Sequence, residues 1–441
     1  MSEHLASHVL ELVGDRAEVE VVTMSGISSL TRFANSFIHQ NVGEQLESVR
    51  LRVAMDGRVA SGATTRIDDA SLAGFVDETL ETARRQPADE DWPGLTPPVE
   101  IPSIEHYDDE TADASPAARA ELVRTFVDAG EGMLAAGYCE TEGATYRFVN
   151  SAGHNATGRE TSAVLDGIHR TSSSAGFGHA GSSAIGDLDA AAVGELAAQR
   201  ARDSESTFDA RPDEYEVVLA QEATATIAIF LAVYGMNAKA HEEGRSFVDL
   251  GTMPFDESFR LWDDAGDPRA RGIQFDSEGT PKRRVDFVTD GVTTGLAHNR
   301  RTAQKAGVES TGHAFPGSDV FGAFPVNLFV GSGGETVDEL IAGVEHGIYV
   351  STFNYCRVLD PKPLVVTGLT RNGTFMIENG AITGAVSNLR FTQSFVDALA
   401  PGKLLGIGSD DRFADSEFGA DFVIAPSMRL ASWHFTGGAD G

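Results

Sequence analysis

Residues 216–247 set the tightest limit on what this chain can fold into. The apolar run Val217, Val218, Leu219 passes at Gln221 and Glu222 into the helical composition ATATIAIFLAV, which stops at Gly235. A strand that runs straight into a helix with almost no polar face predicts that both are buried, with the rest of the chain as scaffold around them. Glu222 falls in the first turn of that helix, where the macrodipole favours a carboxylate and unpaired backbone N–H groups can donate to it. On this reading alone it is a helix-start acid.

Upstream, Leu5, Val9, Leu12 and Val13 predict an amphipathic helix over residues 3–13. Strands follow over 18–23 and 47–54, the second with Val49, Leu51 and Val53 in strict alternation, and a β-meander is the simplest arrangement. Asp68 caps a helix to about residue 86, which Pro87 ends. Residues 88–115, rich in proline and acid, read as a connector. Ser115 and Pro116 open a helix to about residue 136. Short strands are expected over 138–142 and 145–150, and a tight turn over 150–153. The small, glycine-rich tract 172–182 has no lysine and no phosphate-loop pattern, so it reads as a flexible surface loop. An alanine-rich helix covers 190–202, and residues 203–214 have few large apolar side chains.

A chain of 441 residues with 41% apolar residues exceeds what one core usually supports. The fold class expected is α+β in two domains. Residues 1–205 form a mixed α and β domain with a meander sheet and helices. Residues 213–441, glycine-rich and punctuated by turns, form a β-rich sheet or open barrel around the one buried helix.

The net charge of -32 comes from 66 acidic against 34 basic residues, and only Lys239, Lys282, Lys305, Lys362 and Lys403 are lysines. Such a surface repels nucleic acid and anionic membranes, and it suits a folded protein in high salt, where self-repulsion is screened. Cys139 and Cys356 lie in unrelated contexts, as expected of reduced, buried thiols in a cytoplasmic protein. The first residues carry acids instead of a basic leader, and no apolar run approaches the ~20 residues of a membrane span.

No H-E-x-x-H occurs among the twelve histidines. His241, Glu242 and Gly244 begin such a pattern, but Arg245 stands where the second ligand belongs, which leaves a solvated helix exit. Ser310, Thr311 and His313 place hydroxyls beside an imidazole, but there is no G-x-S-x-G elbow, and a structural turn lining a cavity is the better account.

Six further stretches stand out in order along the chain: TRFANSFIHQN at 31–41, Gly244-Arg245-Ser246, the 275–281 segment FDSEGTP, Ser310-Thr311-Gly312-His313-Ala314, the 347–350 segment GIYV and the 377–380 segment IENG. They resemble motifs of the TldD/PmbA metallopeptidase family in kind and order, the first being similar to a stretch of its archaeal members. In that family a strand enters a helix carrying H-E-x-x-x-H, whose two His bind zinc while the Glu polarises the attacking water. Gln221, Glu222 and Thr226 occupy those three positions here, and the 422–428 tract that would hold the closing Cys has none. Neither an amide nor a hydroxyl replaces imidazole on zinc. The resemblance therefore implies a vestigial general-base position at Glu222, no metal ligand, and no cofactor in this chain.

The resemblance further implies a homodimer, or a heterodimer with an H-E-x-x-x-H subunit that carries the zinc. Gln221, Thr226, His313 and Asn327 would line a shared cavity for a peptide. Two other classes stay open: a regulatory binding protein of the gyrase-modulator kind, and an enzyme with divergent chemistry.

Overall fold

A computed structural model describes residues 2–438. Met1 and residues 439–441, the outer ends of the two expected domains, lie outside it. In the first half a six-stranded antiparallel sheet runs in the order β3-β2-β1-β4-β5-β6. Its strands are β1 (Glu18–Ala34), β2 (Phe37–Met55), β3 (Arg58–Thr64), β4 (Leu134–Asn150), β5 (Asn155–Arg170) and β6 (Ala175–Ser182). The expected short strands are pieces of these longer ones. Asn35 and Ser36, with φ of 50° and 63°, close the β1–β2 hairpin, both in the left-handed conformation that a two-residue turn of this hand requires.

Helices α1 (Ser2–Val13) and α2 (Asp69–Arg85) close a core with β1–β3 around Val9, Val21, Leu51 and Leu72. The connector is ordered across both halves. Thr96 Oγ1 donates to the carbonyl of Glu278 at 2.6 Å, and His106 Nε2 lies 2.9 Å from the carbonyl oxygen of Ala265. Near its end it forms the short α3 (Asp109–Ala112), and α4 (Pro116–Asp128) and α5 (Ala190–Asp203) come later in the chain.

Two expectations fail here for steric reasons. The helix opened by Pro116 ends at Asp128, not near residue 136, because Glu131 and Gly132 turn the chain with positive φ and Leu134 already belongs to β4. Of the tract over 172–182 only the first three residues form a turn, since Ala175–Ser182 is a strand packed against α5. Its glycines serve packing: a Cβ on Gly176 would sit 2.2 Å from the carbonyl oxygen of Ala197, and one on Gly178 would sit 2.4 Å from that of Val193. Helix α5 thus lies directly on the β6 backbone.

The second half holds two sheets. In the first, the strands His346–Asp360, Glu214–Leu219, Met428–Gly438, Leu389–Ser394 and Val365–Glu378 pair in turn and then close on one another, giving a five-stranded barrel. Phe353, Phe391, Phe395 and Trp433 pack ring against ring in its core. The other, six-stranded, contains Leu261–Asp263, Leu328–Val330, Arg412–Ser416 and Gly419–Ala425. Between the two lies α6 (Gln221–Phe230), continued by a wider turn to Gly235. Every α6 residue after Gln221 is buried, as the uniform apolar composition requires. The halves meet where β6 packs against Arg412–Ser416 and Val365–Glu378.

Candidate functional site

The strand Glu214–Leu219 pairs in parallel with His346–Asp360 and antiparallel with Met428–Gly438, so its end is fixed on both sides. The Ala220 N–H donates to the Val350 carbonyl at 2.9 Å, and α6 begins at the next residue with no side-chain cap. Glu222 is thereby held inside the protein, only 1% exposed.

Its Oε1 accepts from the guanidinium of Arg412, which comes from the strand Arg412–Ser416 across the layer. Its Oε2 accepts no hydrogen bond among the described residues. Burial alone would raise this carboxyl's pKa, but the charge of Arg412, with those of Arg200 and His179, holds it down to about 2. Glu222 is thus an ionised, buried partner of an arginine.

Gln221 is also engaged. Its Nε2 donates to the carbonyl and to Oδ2 of Asp410, at 3.1 and 2.7 Å. The other oxygen of Asp410 accepts from the Ser427 amide and hydroxyl, both at 2.9 Å. Ser427 lies in the Cys-free tract, so these bonds tie the helix start to the segments on either side of it. Thr226 turns inward and donates to the Glu222 carbonyl at 3.1 Å.

The first half brings a second set of groups to the same region. On β4, β5 and β6, Tyr138 donates to Asp166 at 2.5 Å, and His179 Nδ1 lies 2.7 Å from the other Asp166 oxygen. Asp415, half-buried beside them, has its pKa raised to about 6, first by burial, then by Asp166 and Glu222, with His179 opposing. No motif marked Arg412, Asp415, Asp166 or His179 in the sequence. One physical signal was available: a buried Glu222 needs a cation, and the chain has few.

His313 and Asn327 belong to a different cluster. His313 Nε2 lies 3.0 Å from Oδ1 of the buried Asp263, and the Asn327 amide N–H donates to Oδ2 at 2.7 Å. The Asp263 pKa is lowered despite burial, chiefly by His313. Among the described residues no hydrogen bond or ion pair joins this cluster to Glu222. Asn327 does line a cleft of about 390 Å³ between the halves, with Glu142, Tyr146, Glu160, Lys282 and Phe422. Lys282 donates to Asn327 Oδ1 at 3.4 Å, and burial lowers its pKa against the pull of Asp263 and Glu160. The proposed cavity residues therefore divide: Asn327 faces a cleft, while Gln221, Thr226 and His313 are held by internal hydrogen bonds or an ion pair.

Comparison with known proteins gives this geometry a context. Residues 212–437 match the PmbA/TldA metallopeptidase C-terminal domain, just over half of the chain. The chain belongs to the PmbA/TldD family. A metalloprotease of Methanothermobacter thermautotrophicus is 24% identical over 382 residues, covering 83% of this chain and 76% of its own length. Two solved structures share the fold over nearly the whole molecule. TldE from Thermococcus kodakarensis aligns with a TM-score of 0.87 at 16% identity, covering 99% of this chain and 100% of that one. A proposed modulator of a DNA gyrase from Thermotoga maritima aligns at 0.84 and 18%, with the same coverage. At such identities the likeness extends to the fold alone.

The zinc implied by a metallopeptidase family does not fit the donors present. The Gln221 amide is bound to Asp410, Thr226 carries a hydroxyl turned to the backbone, and Glu222 already holds the Arg412 charge. Among the described residues no group of three or more His, Cys, Asp or Glu is placed to hold a metal ion. Nor, among them, is any helix long and apolar enough to cross a membrane.

Proposed function

We propose that this PmbA/TldD-family chain is a metal-free subunit that partners an H-E-x-x-x-H metallopeptidase in peptide proteolysis. One observation carries the reading: Arg412 supplies the counter-charge to Glu222 that a metal would otherwise supply. A Glu held ionised by an arginine on one oxygen, with its pKa pulled down, is poorly suited to serve as a general base, and the donors around it are unsuited to zinc.

Under this reading the chain contributes scaffold and cavity wall. Asn327 and the cleft it lines are the part that would face a peptide; His313 holds Asp263, which accepts from the Asn327 amide, while Gln221 and Thr226 fix the start of α6. The chain pairs with itself or with the active homologue, works in the cytoplasm, and with a charge of -32 stays off nucleic acid and membranes.

The test is reconstitution. Peptidase activity should be absent with this chain alone and should rise on mixing with an H-E-x-x-x-H homologue from the same source. Light scattering in molar salt should show a species larger than the 46.8 kDa monomer. Monomers under every mixture, or full activity of the homologue without this chain, would remove the reading.

A further inference from the structure

A second crevice between the halves lies where the β5–β6 turn and the end of α5 face the barrel. It encloses about 470 Å³. Among its lining residues are Arg170, Ser172, Ser204, Thr207, Asn372 and Asn388, and no carboxylate lines it. That composition is out of character for a chain with 66 acidic residues. Four other crevices, at Glu20 and Glu278, at Glu11 and Asp69, at Glu142 and Glu160, and at Glu131 and Glu195, each carry at least two carboxylates.

The one charged side chain in that lining is a cation, Arg170. Most arginines of this protein pair with an acid, such as Arg52 with Glu20 and Arg301 with Asp89. The guanidinium of Arg170 has no ion pair or hydrogen bond among the described residues, and neither have those of Arg371 and Arg390, exposed residues one and two positions from the lining Asn372 and Asn388. The nearest acids in sequence, Asp203 and Glu205, flank Ser204 outside the lining, and Asp203 accepts from Gln199 at 2.7 Å.

Both walls are pre-shaped. Thr171 Oγ1 accepts from the Ser173 and Ser174 amides at 3.3 and 3.1 Å, and Ser174 Oγ anchors the turn to the Ala201 carbonyl at 2.6 Å. The Ser172 hydroxyl is left without a partner among the described residues. Opposite, Asn372 and Gly373 form a bulge with φ of 53° and 136°, and a Cβ on Gly373 would lie 2.3 Å from Ser351 Oγ. The side-chain amides of Asn372 and Asn388 likewise have no partner among the described residues.

We propose that this crevice binds the phosphate group of a small molecule, with Arg170 as its charged contact and the hydroxyls and amides of both halves as neutral donors. Phosphate offers several acceptor oxygens and a charge, and a lining with a cation and no carboxylate answers an anion without repelling it. A ligand held from both walls would also bridge the two halves.

Titration with inorganic phosphate at constant ionic strength, followed by calorimetry and melting temperature, tests this, and glycerol phosphate in a parallel arm distinguishes a phosphomonoester from free phosphate. Saturable binding with a Kd on the order of 1 mM or tighter is expected, with a rise in melting temperature as the crevice fills. R170Q should weaken it by about tenfold or more. N388D places a carboxylate in the lining and should weaken it at least as much, while both variants keep the wild-type circular dichroism. Equal responses to phosphate and chloride, or unchanged affinity in R170Q, would overturn the proposal.

Discussion

Arg412 and Glu222 form an ion pair with one partner buried, joining a strand near the end of the chain to the first turn of α6. Removing the cation should cost more than removing both charges. R412A leaves the Glu222 carboxylate uncompensated and should destabilise the fold by about 3 to 5 kcal/mol, whereas R412L with E222Q should recover most of that loss. Urea unfolding of the three proteins checks it. A single mutant indistinguishable from wild type would mean that the pair contributes nothing.

Rebuilding the histidines should not rebuild a zinc site. Q221H with T226H restores H-E-x-x-x-H in sequence but leaves no thiolate, breaks the Gln221–Asp410 bond at a cost of about 1 kcal/mol, and leaves Arg412 on Glu222. Weak zinc binding and no peptidase activity are expected, and a Cys introduced between Ile424 and Met428 should tighten the binding. Elemental analysis of the unmodified chain should find no stoichiometric zinc. About one zinc per chain would contradict the reading, since a closed site retains its metal.

Stability should depend on pH in two windows of opposite sign. Asp415 binds its proton more tightly folded, at about 6 against 3.8, so its contribution is complete below 3.8 and is lost as pH rises through 6. Glu222 is the reverse, at about 2 against 4.5: its contribution is present above 4.5 and is lost as pH falls through 2. D415N should therefore flatten the fall in stability between pH 3.8 and 6 while leaving the acid limb intact. Denaturant midpoints across this range decide it, and an unchanged profile in D415N would assign the titration elsewhere.

Salt should stabilise the fold. At a net charge of -32, screening weakens acid–acid repulsion, so the melting temperature should climb from dilute to molar potassium chloride. A flat response would show that the acidic surface is not an adaptation to salt.

G176A probes the β6–α5 contact. The added methyl would approach the Ala197 carbonyl to 2.2 Å, and backbone on both sides cannot yield cheaply, so a loss of about 1 to 3 kcal/mol is expected. G186A, in open space, is the control and should change little.

The sequence by itself determined the elements whose patterns are local. The run from Val217 to Gly235 announced a buried strand and helix, Asp68 and Ser115 announced their helix starts, and the alternation of Val49, Leu51 and Val53 announced a strand. The spacing of Gln221, Glu222 and Thr226 and the motifs downstream announced the family. Tertiary structure decided the rest, because it depended on what came to lie opposite. The glycines at 176 and 178 looked like loop residues until α5 was seen lying on them. The charge that neutralises Glu222 comes from Arg412, 190 residues away, and Asp166 and His179 reach the same region from the other half. Burial makes a charged group demand a partner, but only the fold brings the partner within reach, and no local pattern records which of the basic residues it will be.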